Sequence, residues 1–485
     1  MSSLKSKGIK AFIWDFLGKL ATQGTGFIVT IFLARLLEPS DFGLIAMLMV
    51  VVGVAQVFTD VGLGGALIQR RKVLDVHYSS VFYFNIFIAL VLTCITYLSA
   101  GFIASFYNNP ELIKLAQVIS VIFIINACSS VQAIRLRKQL NYPLLTKASF
   151  QSSLLSGVLG VTLAFNDWGV WSLVAQILSQ GIFYNIILWK TANWRPTLTF
   201  SLKALRQLWG FGFRMFLSSL LDAIFTRLDF LIIGKLFPVT TLGYFQRAKQ
   251  FNALIIQYSS GSLMSVMFPI LSKVQNDLPR FRRIIIDTLN ILCFVVFLLL
   301  GGVYLTAEEL ILFLFSDKWL PSVQYMELLL LSGFSYPLSA LLVNVLSSRG
   351  NSKAFLKLEI MKKFLHAINF VNAYYNGIEV YLYGLVLVSF FSVMLNIIFA
   401  SKELNMGSMS FLNPILSQMM IGMCSVILTY QVDFYLDFNI ILGFLMKVTL
   451  FFFLYVGFNL IFKTSSSNNI HQLLAPILRR KVGIK

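Results

Sequence analysis

The chain has very little charge for its length. Only 12% of its 485 residues are Asp, Glu, Lys or Arg, whereas 58% are hydrophobic and the mean hydropathy is +0.80. A soluble protein of this size needs a charged exterior, so the composition excludes a soluble enzyme. Apolar runs long enough to cross a bilayer follow one another from end to end, and the sequence therefore predicts an all-α integral membrane protein.

Cysteine and histidine are also scarce. The four cysteines, Cys94, Cys128, Cys293 and Cys424, lie in apolar stretches without CxxC spacing, and the three histidines are far apart. This pattern excludes a disulfide framework and predicts neither a metal site nor a cofactor. The sequence also lacks a Ser/His/Asp order, an HExxH motif and a nucleotide-binding glycine motif, so we expect a protein that is not an enzyme.

A window of about 20 residues finds fourteen candidate transmembrane helices. They cover 12 to 36, 43 to 67, 79 to 105, 112 to 134, 148 to 166, 168 to 189, 209 to 235, 244 to 270, 284 to 306, 323 to 347, 354 to 375, 378 to 400, 413 to 432 and 438 to 462. The most polar span, 354 to 375, carries five ionisable residues. It must therefore face a wet cavity or lie partly in the membrane interface.

Basic residues concentrate in every second connection between these spans. With the N-terminus in the cytoplasm, 29 of the 39 Lys and Arg residues fall in cytoplasmic segments or in the cytoplasmic part of an adjoining span, and four fall in or beside the opposite segments. By the positive-inside rule, this pattern predicts an even number of spans in the cytoplasmic (inner) membrane, with both termini cytoplasmic. Basic residues at the membrane surface then account for the net charge of +19, and no nucleic acid is expected as a partner.

Two segments 200 positions apart resemble each other. ARLLEPSDFGLIA at 34–46 and GKLFPVTTLGYFQ at 234–246 pair Gly43 with Gly243. Six candidate helices separate the copies, so they have the same orientation, which indicates two pseudo-symmetric six-helix lobes and two further C-terminal helices. The predicted domains are an N-terminal lobe at 1–205, a C-terminal lobe at 206–402, and two additional helices with a cytoplasmic tail at 403–485.

The first hairpin carries a family resemblance. RLLEPSDFGLIAM, followed by FTDVGLGGALIQRR, resembles the Wzx-like polysaccharide-export flippases of the multidrug/oligosaccharidyl-lipid/polysaccharide exporter superfamily, in particular the colanic and teichuronic acid group. The motif covers 34–72, and the charge pattern agrees over the whole chain. The resemblance implies an alternating-access flippase that carries an undecaprenyl-diphosphate-linked oligosaccharide for lipopolysaccharide or exopolysaccharide biosynthesis. Its implied partners are membrane lipid, a coupling ion (H+ or Na+) and the polysaccharide polymerase machinery.

Basic residues inside the spans are the candidates for binding a diphosphate, because moving this group through hydrocarbon requires cations in place of its water shell. In the seventh and eighth spans they are Arg214, Arg227, Arg247 and Lys249. Arg227 has no acidic residue four positions away, which favours a cavity-facing role. Asp229 and Arg247 are expected at similar depth, where they either pair structurally or serve the cavity. Asp222 shares a helix face with Asp229.

Three charged residues of the first two spans are also candidates. Asp15 and Lys19 have the i,i+4 spacing of a helix-stabilising pair. Asp60 either binds a coupling cation or pairs with Lys19. The glycines of GLGGAL at 62–67 are read as sites of close helix packing, because the spacing fits no nucleotide-binding loop.

Two other function classes remain open. A cation-coupled multidrug or small-molecule exporter of the same superfamily would favour an anionic cavity, whereas basic residues outnumber acidic ones in the seventh and eighth spans. A membrane polymerase or ligase would need a large external loop, and the predicted outside segments are short.

Overall fold

The computed structural model describes residues 2–435, 439–467 and 469, and every regular element in this part of the chain is a helix. The contacts divide the chain into two compact units, Met1–Gln246 and Arg247–Lys485. The first unit contains α1 (Ser2–Leu36), α2 (Pro39–Asp60), α3 (Leu63–Gln69), α4 (Asp75–Leu98), α5 (Ala100–Tyr107), α6 (Leu112–Ile119), α7 (Ile122–Lys138), α8 (Tyr142–Phe165), α9 (Val170–Thr191), α10 (Leu202–Leu236) and the start of α11 (Val239–Lys273). The second contains the rest of α11, then α12 (Leu278–Leu305), α13 (Ala307–Phe315), α14 (Pro321–Gly333), α15 (Ser335–Ser348), α16 (Ser352–Leu404), α17 (Met409–Tyr435) and α18 (Ile440–Ile461).

Ten helical stretches among the described residues are long and apolar enough to cross a membrane. This confirms the prediction of an all-α, multi-pass membrane protein. The helices α1, α10 and α11 are each 35 residues long, which is also enough to cross, but they are less apolar. The number fourteen, the cytoplasmic termini and the lobe limits 1–205, 206–402 and 403–485 stay predictions.

The helix α16 folds back on itself. Gly377 has φ +88° and ψ 178°, which interrupts the helix. The Asn369 side-chain amide donates to the carbonyl of Tyr381 at 3.0 Å. Residues twelve apart in a straight helix would be about 18 Å apart, so the segments before and after Gly377 lie antiparallel. The two predicted spans 354–375 and 378–400 are therefore separate helices, joined by a turn that glycine's freedom at positive φ permits.

The two related segments at the starts of α2 and α11 contact each other reciprocally. A Cβ on Gly43 would lie 2.0 Å from the carbonyl oxygen of Val239, and a Cβ on Gly243 would lie 2.0 Å from the carbonyl oxygen of Pro39. Pro39 and Val239 are also 200 positions apart. The contact of Gly43 with Val239 is therefore the counterpart of the contact of Gly243 with Pro39, which is the reciprocal pattern found at a pseudo-twofold axis. Only residues without side chains allow the backbones to approach this closely.

In the second unit, a buried ion cluster connects three helices. Lys447 of α18 lies 2.9 Å from an oxygen of Asp433 on α17 and also pairs with Glu309 of α13. The three side chains are only 11%, 25% and 13% exposed, respectively. Because each carboxylate comes from a different helix, the ammonium group holds α13, α17 and α18 together.

Candidate functional site

An apolar groove of about 680 Å³ lies in the first unit between α2, α4 and α10. Thirteen of its fourteen lining residues are apolar, and the other is Arg227 of α10. Typical members are Val54 and Phe58 of α2 and Leu92 of α4. We call this cavity the Arg227 groove. A single charged group in an otherwise apolar wall marks it as the candidate site, since ionisable groups inside membrane spans are usually functional.

The Arg227 guanidinium is anchored to the backbone of α2. Its Nη1 donates to the carbonyl oxygen of Met49 at 2.6 Å. Gly53 makes this contact possible, because a Cβ at that position would lie 1.9 Å from the guanidinium carbon. Arg227 is half-buried, and no carboxylate pairs with it among the described residues. One carbonyl occupies one of its five N–H donors, so the others are available to a ligand in the groove.

The site lies near the middle of the membrane span. Met49 is ten residues from Pro39, the first residue of α2, which corresponds to about 15 Å along the helix axis. This is about half of a hydrocarbon core of roughly 30 Å. A cation at this depth is costly unless a partner stabilises it. The arrangement is therefore suited to an anionic group that enters from a lipid.

Asp60 has a structural role at the end of α2. Val61 and Gly62 both have left-handed backbone conformations, with φ of +46° and +69°, and separate α2 from α3. The Asp60 carboxylate accepts from the backbone N–H of Gly64 at 3.0 and 3.1 Å, which caps the start of α3. A Cβ on Gly62 would lie 2.1 Å from the carbonyl oxygen of Gly212 on α10. The predicted close helix packing at GLGGAL is thus present, and a coupling role for Asp60 stays a prediction.

Arg247 is enclosed by side chains of the second unit. It is 4% exposed, and its guanidinium carbon lies 5.7 and 5.4 Å from the ring centres of Phe315 and Trp319. Its Nη1 also donates to the side-chain oxygen of Gln250 at 2.8 Å. Cation–π and amide contacts of this kind stabilise a buried guanidinium, so they support the structural interpretation of Arg247.

The other predicted site residues differ in exposure. Arg214 and Asp222 are exposed on α10, whereas Asp229 and Lys249 are half-buried. Asp15 and Lys19 belong to α1, but their side chains lie outside the described residues. The assignment of all these residues to the site, and the pairing of Asp229 with Arg247, stay predictions. Among the described residues, no three His, Cys, Asp or Glu side chains are grouped closely enough to hold a metal ion.

Sequence reasoning selected Arg227 but missed Met49 and Gly53. The Met49 contribution is a backbone carbonyl, which leaves no signal in the sequence. Gly53 gave a weak signal as a helix-interior glycine in an apolar span, where glycine usually indicates close approach of another group.

Residues 32–324 match the family described as "Polysaccharide biosynthesis protein". Over 283 residues the chain is 28% identical to the teichuronic acid biosynthesis protein TuaB of Bacillus subtilis (strain 168), and the match covers 58% of each chain. It is 26% identical to the succinoglycan biosynthesis transport protein ExoT of Rhizobium meliloti (strain 1021), covering 66% of this chain and 65% of that relative. The chain thus spans less than two thirds of the length of either relative.

Among solved structures, the lipid II flippase MurJ in an inward closed conformation is similar, with a TM-score of 0.72 and 16% sequence identity. The match covers 94% of this chain and 98% of that chain. At this identity, the similarity shows a shared fold.

Proposed function

Because the chain belongs to the polysaccharide biosynthesis protein family, we propose that it is a flippase-type transporter of lipid-linked oligosaccharides. Its cargo is an undecaprenyl-diphosphate-linked repeat unit, moved from the cytoplasmic to the outer leaflet of the cytoplasmic membrane for lipopolysaccharide or exopolysaccharide biosynthesis. The names of two relatives, a teichuronic acid biosynthesis protein and a succinoglycan biosynthesis transport protein, support this proposal. So does the fold shared with a lipid II flippase.

The observation that carries the proposal is the Arg227 guanidinium, without a carboxylate partner among the described residues, in the wall of an apolar groove. A diphosphate that leaves water loses its hydration and needs charge-assisted hydrogen bonds in exchange. Guanidinium provides these bonds in a planar fork that fits two phosphate oxygens. The apolar wall around it is compatible with the isoprenoid chain that the diphosphate carries.

The same observation separates the two transporter hypotheses. A cation-coupled multidrug exporter would present carboxylates to a cationic drug, but among the described residues the one charged side chain that lines the Arg227 groove is positive. Burying a cationic ligand beside a guanidinium would be unfavourable in a low-dielectric medium. The groove therefore favours an anionic lipid over a cationic drug.

A reconstituted transport assay tests the proposal. Proteoliposomes would contain the purified protein and a polyprenyl-diphosphate-linked disaccharide with a fluorescent label, and dithionite would quench the label in the outer leaflet. We expect the protein to expose the inner-leaflet probe faster than protein-free liposomes do. Arg227→Gln should slow this step by about tenfold or more, because it removes a charge-assisted phosphate contact.

The matched control is Arg195→Gln. The Arg195 guanidinium also donates to backbone carbonyls, those of Ala192 and Trp194, but it lies outside the Arg227 groove. This variant should transport the probe at the wild-type rate. A wild-type rate equal to that of protein-free liposomes, together with transport of a cationic dye, would reject the flippase and favour the drug exporter.

A further inference from the structure

A second cavity of the first unit is polar. It has a volume of about 320 Å³ and lies between α1, α7, α8 and α9. Seven of its nine lining residues have polar side chains that are able to form hydrogen bonds. They include Gln23, Arg137, Tyr142, Ser149 and Tyr184. We call it the polar cavity. Its lining contrasts with that of the Arg227 groove, where all residues but one are apolar.

A tight turn between α7 and α8 positions two of these residues. Leu140 has φ +57°, and the N–H of Asn141 donates to the carbonyl of Leu136 at 2.9 Å. The turn reverses the chain, so Arg137 near the end of α7 and Tyr142 at the start of α8 lie at the same end of the helix pair. The polar cavity is therefore located at this end of the first unit.

Two tyrosines lie at the boundary between the polar cavity and a buried apolar cluster. Tyr142 and Tyr184 pack against a buried cluster that includes Leu145 and Leu188, and both also line the polar cavity. A phenol is suited to such a boundary, because its ring is hydrophobic and its hydroxyl both donates and accepts hydrogen bonds.

Small residues bring α1 against α8 beside the polar cavity. A Cβ on Gly18 would lie 2.4 Å from the Thr146 hydroxyl, and that hydroxyl donates to the carbonyl of Trp14 at 3.0 Å. Farther along, a Cβ on Gly157 would lie 2.2 Å from a methyl group of Val29. Close contacts through small residues are how membrane helices associate, and here they fix the walls of the polar cavity.

Arg137 adds a cation to the polar cavity. Its side chain is exposed, and among the described residues it forms no hydrogen bond or ion pair, although it interacts electrostatically with Asp60 and Tyr184. Elsewhere in this unit, the basic side chains of Lys138 and Arg195 are bonded to backbone carbonyls. Arg137 is thus available to a ligand oxygen.

We infer that the polar cavity binds a monosaccharide of the lipid-linked oligosaccharide; this assignment rests on the proposed flippase function. Sugar hydroxyls donate and accept hydrogen bonds, and hydroxyl, phenol and amide side chains satisfy both needs. An apolar lipid chain cannot satisfy such hydrogen-bonding groups, and the proposed function places the diphosphate at Arg227. The volume lies at the lower end of the range for small-ligand pockets, roughly 300–1,000 Å³, which fits a single sugar residue.

A binding experiment with two probes tests this inference. The full-length protein in nanodiscs would be titrated with undecaprenyl diphosphate, and separately with undecaprenyl-diphosphate-linked repeat units extracted from cells that lack the protein. The variants are Arg137→Gln, which changes an exposed side chain, and the double variant Ser149→Ala with Tyr184→Phe. We expect about tenfold weaker binding of the repeat-unit lipid, and undecaprenyl diphosphate affinity within about twofold of wild type.

Two control variants remove hydroxyls of residues that do not line the polar cavity. Ser152→Ala deletes a buried hydroxyl of α8 that donates to the carbonyl of Ser149, and Tyr97→Phe deletes a half-exposed phenol of α4. Both should bind the two probes as the wild type does.

Three outcomes would overturn the inference. If the variants lose affinity equally for both probes, the polar cavity binds the diphosphate or is needed for folding. If the variants bind the repeat-unit lipid as the wild type does, the polar cavity has no role in recognition. In either case the wild-type protein still binds lipid, so the proposed function survives. If the wild type binds neither probe, the proposed function fails together with the subsite.

Discussion

The substitution Gly53→Ala tests the geometry of the Arg227 groove without removing any charge. An added Cβ would lie 1.9 Å from the guanidinium carbon of Arg227, whereas non-bonded carbons need about 3.5 Å. The obstructing group is the far end of a flexible side chain, so the guanidinium moves and α2 keeps its position. The hydrogen bond from Arg227 to the Met49 carbonyl is then lost.

The expected magnitudes differ for folding and for binding. Alanine favours a helix over glycine by about 1 kcal/mol, which offsets part of the roughly 1.5–3 kcal/mol lost with the hydrogen bond and leaves a net loss of about 0.5–2 kcal/mol. The variant should therefore remain folded, with a modest decrease in thermal stability. A displaced guanidinium no longer presents its fork to the phosphate, and the loss of a charge-assisted contact corresponds to roughly 10- to 100-fold weaker binding of undecaprenyl diphosphate.

The assay measures undecaprenyl diphosphate affinity in nanodiscs and thermal unfolding of the same samples. Gly101→Ala is the matched control, because a Cβ on this α5 glycine meets nothing within 4 Å. Arg227→Gln shows how much affinity for undecaprenyl diphosphate is lost when the cation is removed completely. If Gly53→Ala binds the lipid within about twofold of wild type while Arg227→Gln does not, the anchored position of the guanidinium is irrelevant and the reasoning fails.

Two further predictions concern stability. Lys447→Met leaves the largely buried carboxylates of Glu309 and Asp433 without their cation, and we expect a loss of about 3 kcal/mol in thermal unfolding. Adding Glu309→Gln and Asp433→Asn to Lys447→Met should restore much of the lost stability. If Lys447→Met alone is as stable as the wild type, the ion cluster does not stabilise the protein. Gly243→Val places a side chain against the Pro39 carbonyl and should reduce the yield of folded protein, whereas Gly24→Val, at a position with nothing within 4 Å, should not.

The sequence by itself determined the membrane character, the helix pattern and the family resemblance. These features depend on local composition, since a run of about 20 apolar residues has no stable alternative to a helix in a bilayer. The sequence also predicted two separate helices at 354–375 and 378–400, and it related Gly43 to Gly243. A turn and a repeat can both be recognised from the order of residues along the chain. Arg227 was identified as a candidate because an ionisable residue is rare in an apolar span.

Only the tertiary structure decided what surrounds each charge. The carbonyl of Met49 and the space above Gly53 belong to a helix more than 170 positions away from Arg227 in sequence, and no spacing rule connects them. Asp60 caps α3 because the backbone turns at Val61, and the neighbouring sequence does not predict a left-handed conformation at a valine. Helix periodicity fixes which residues share a face, whereas the partner of that face depends on how distant helices pack.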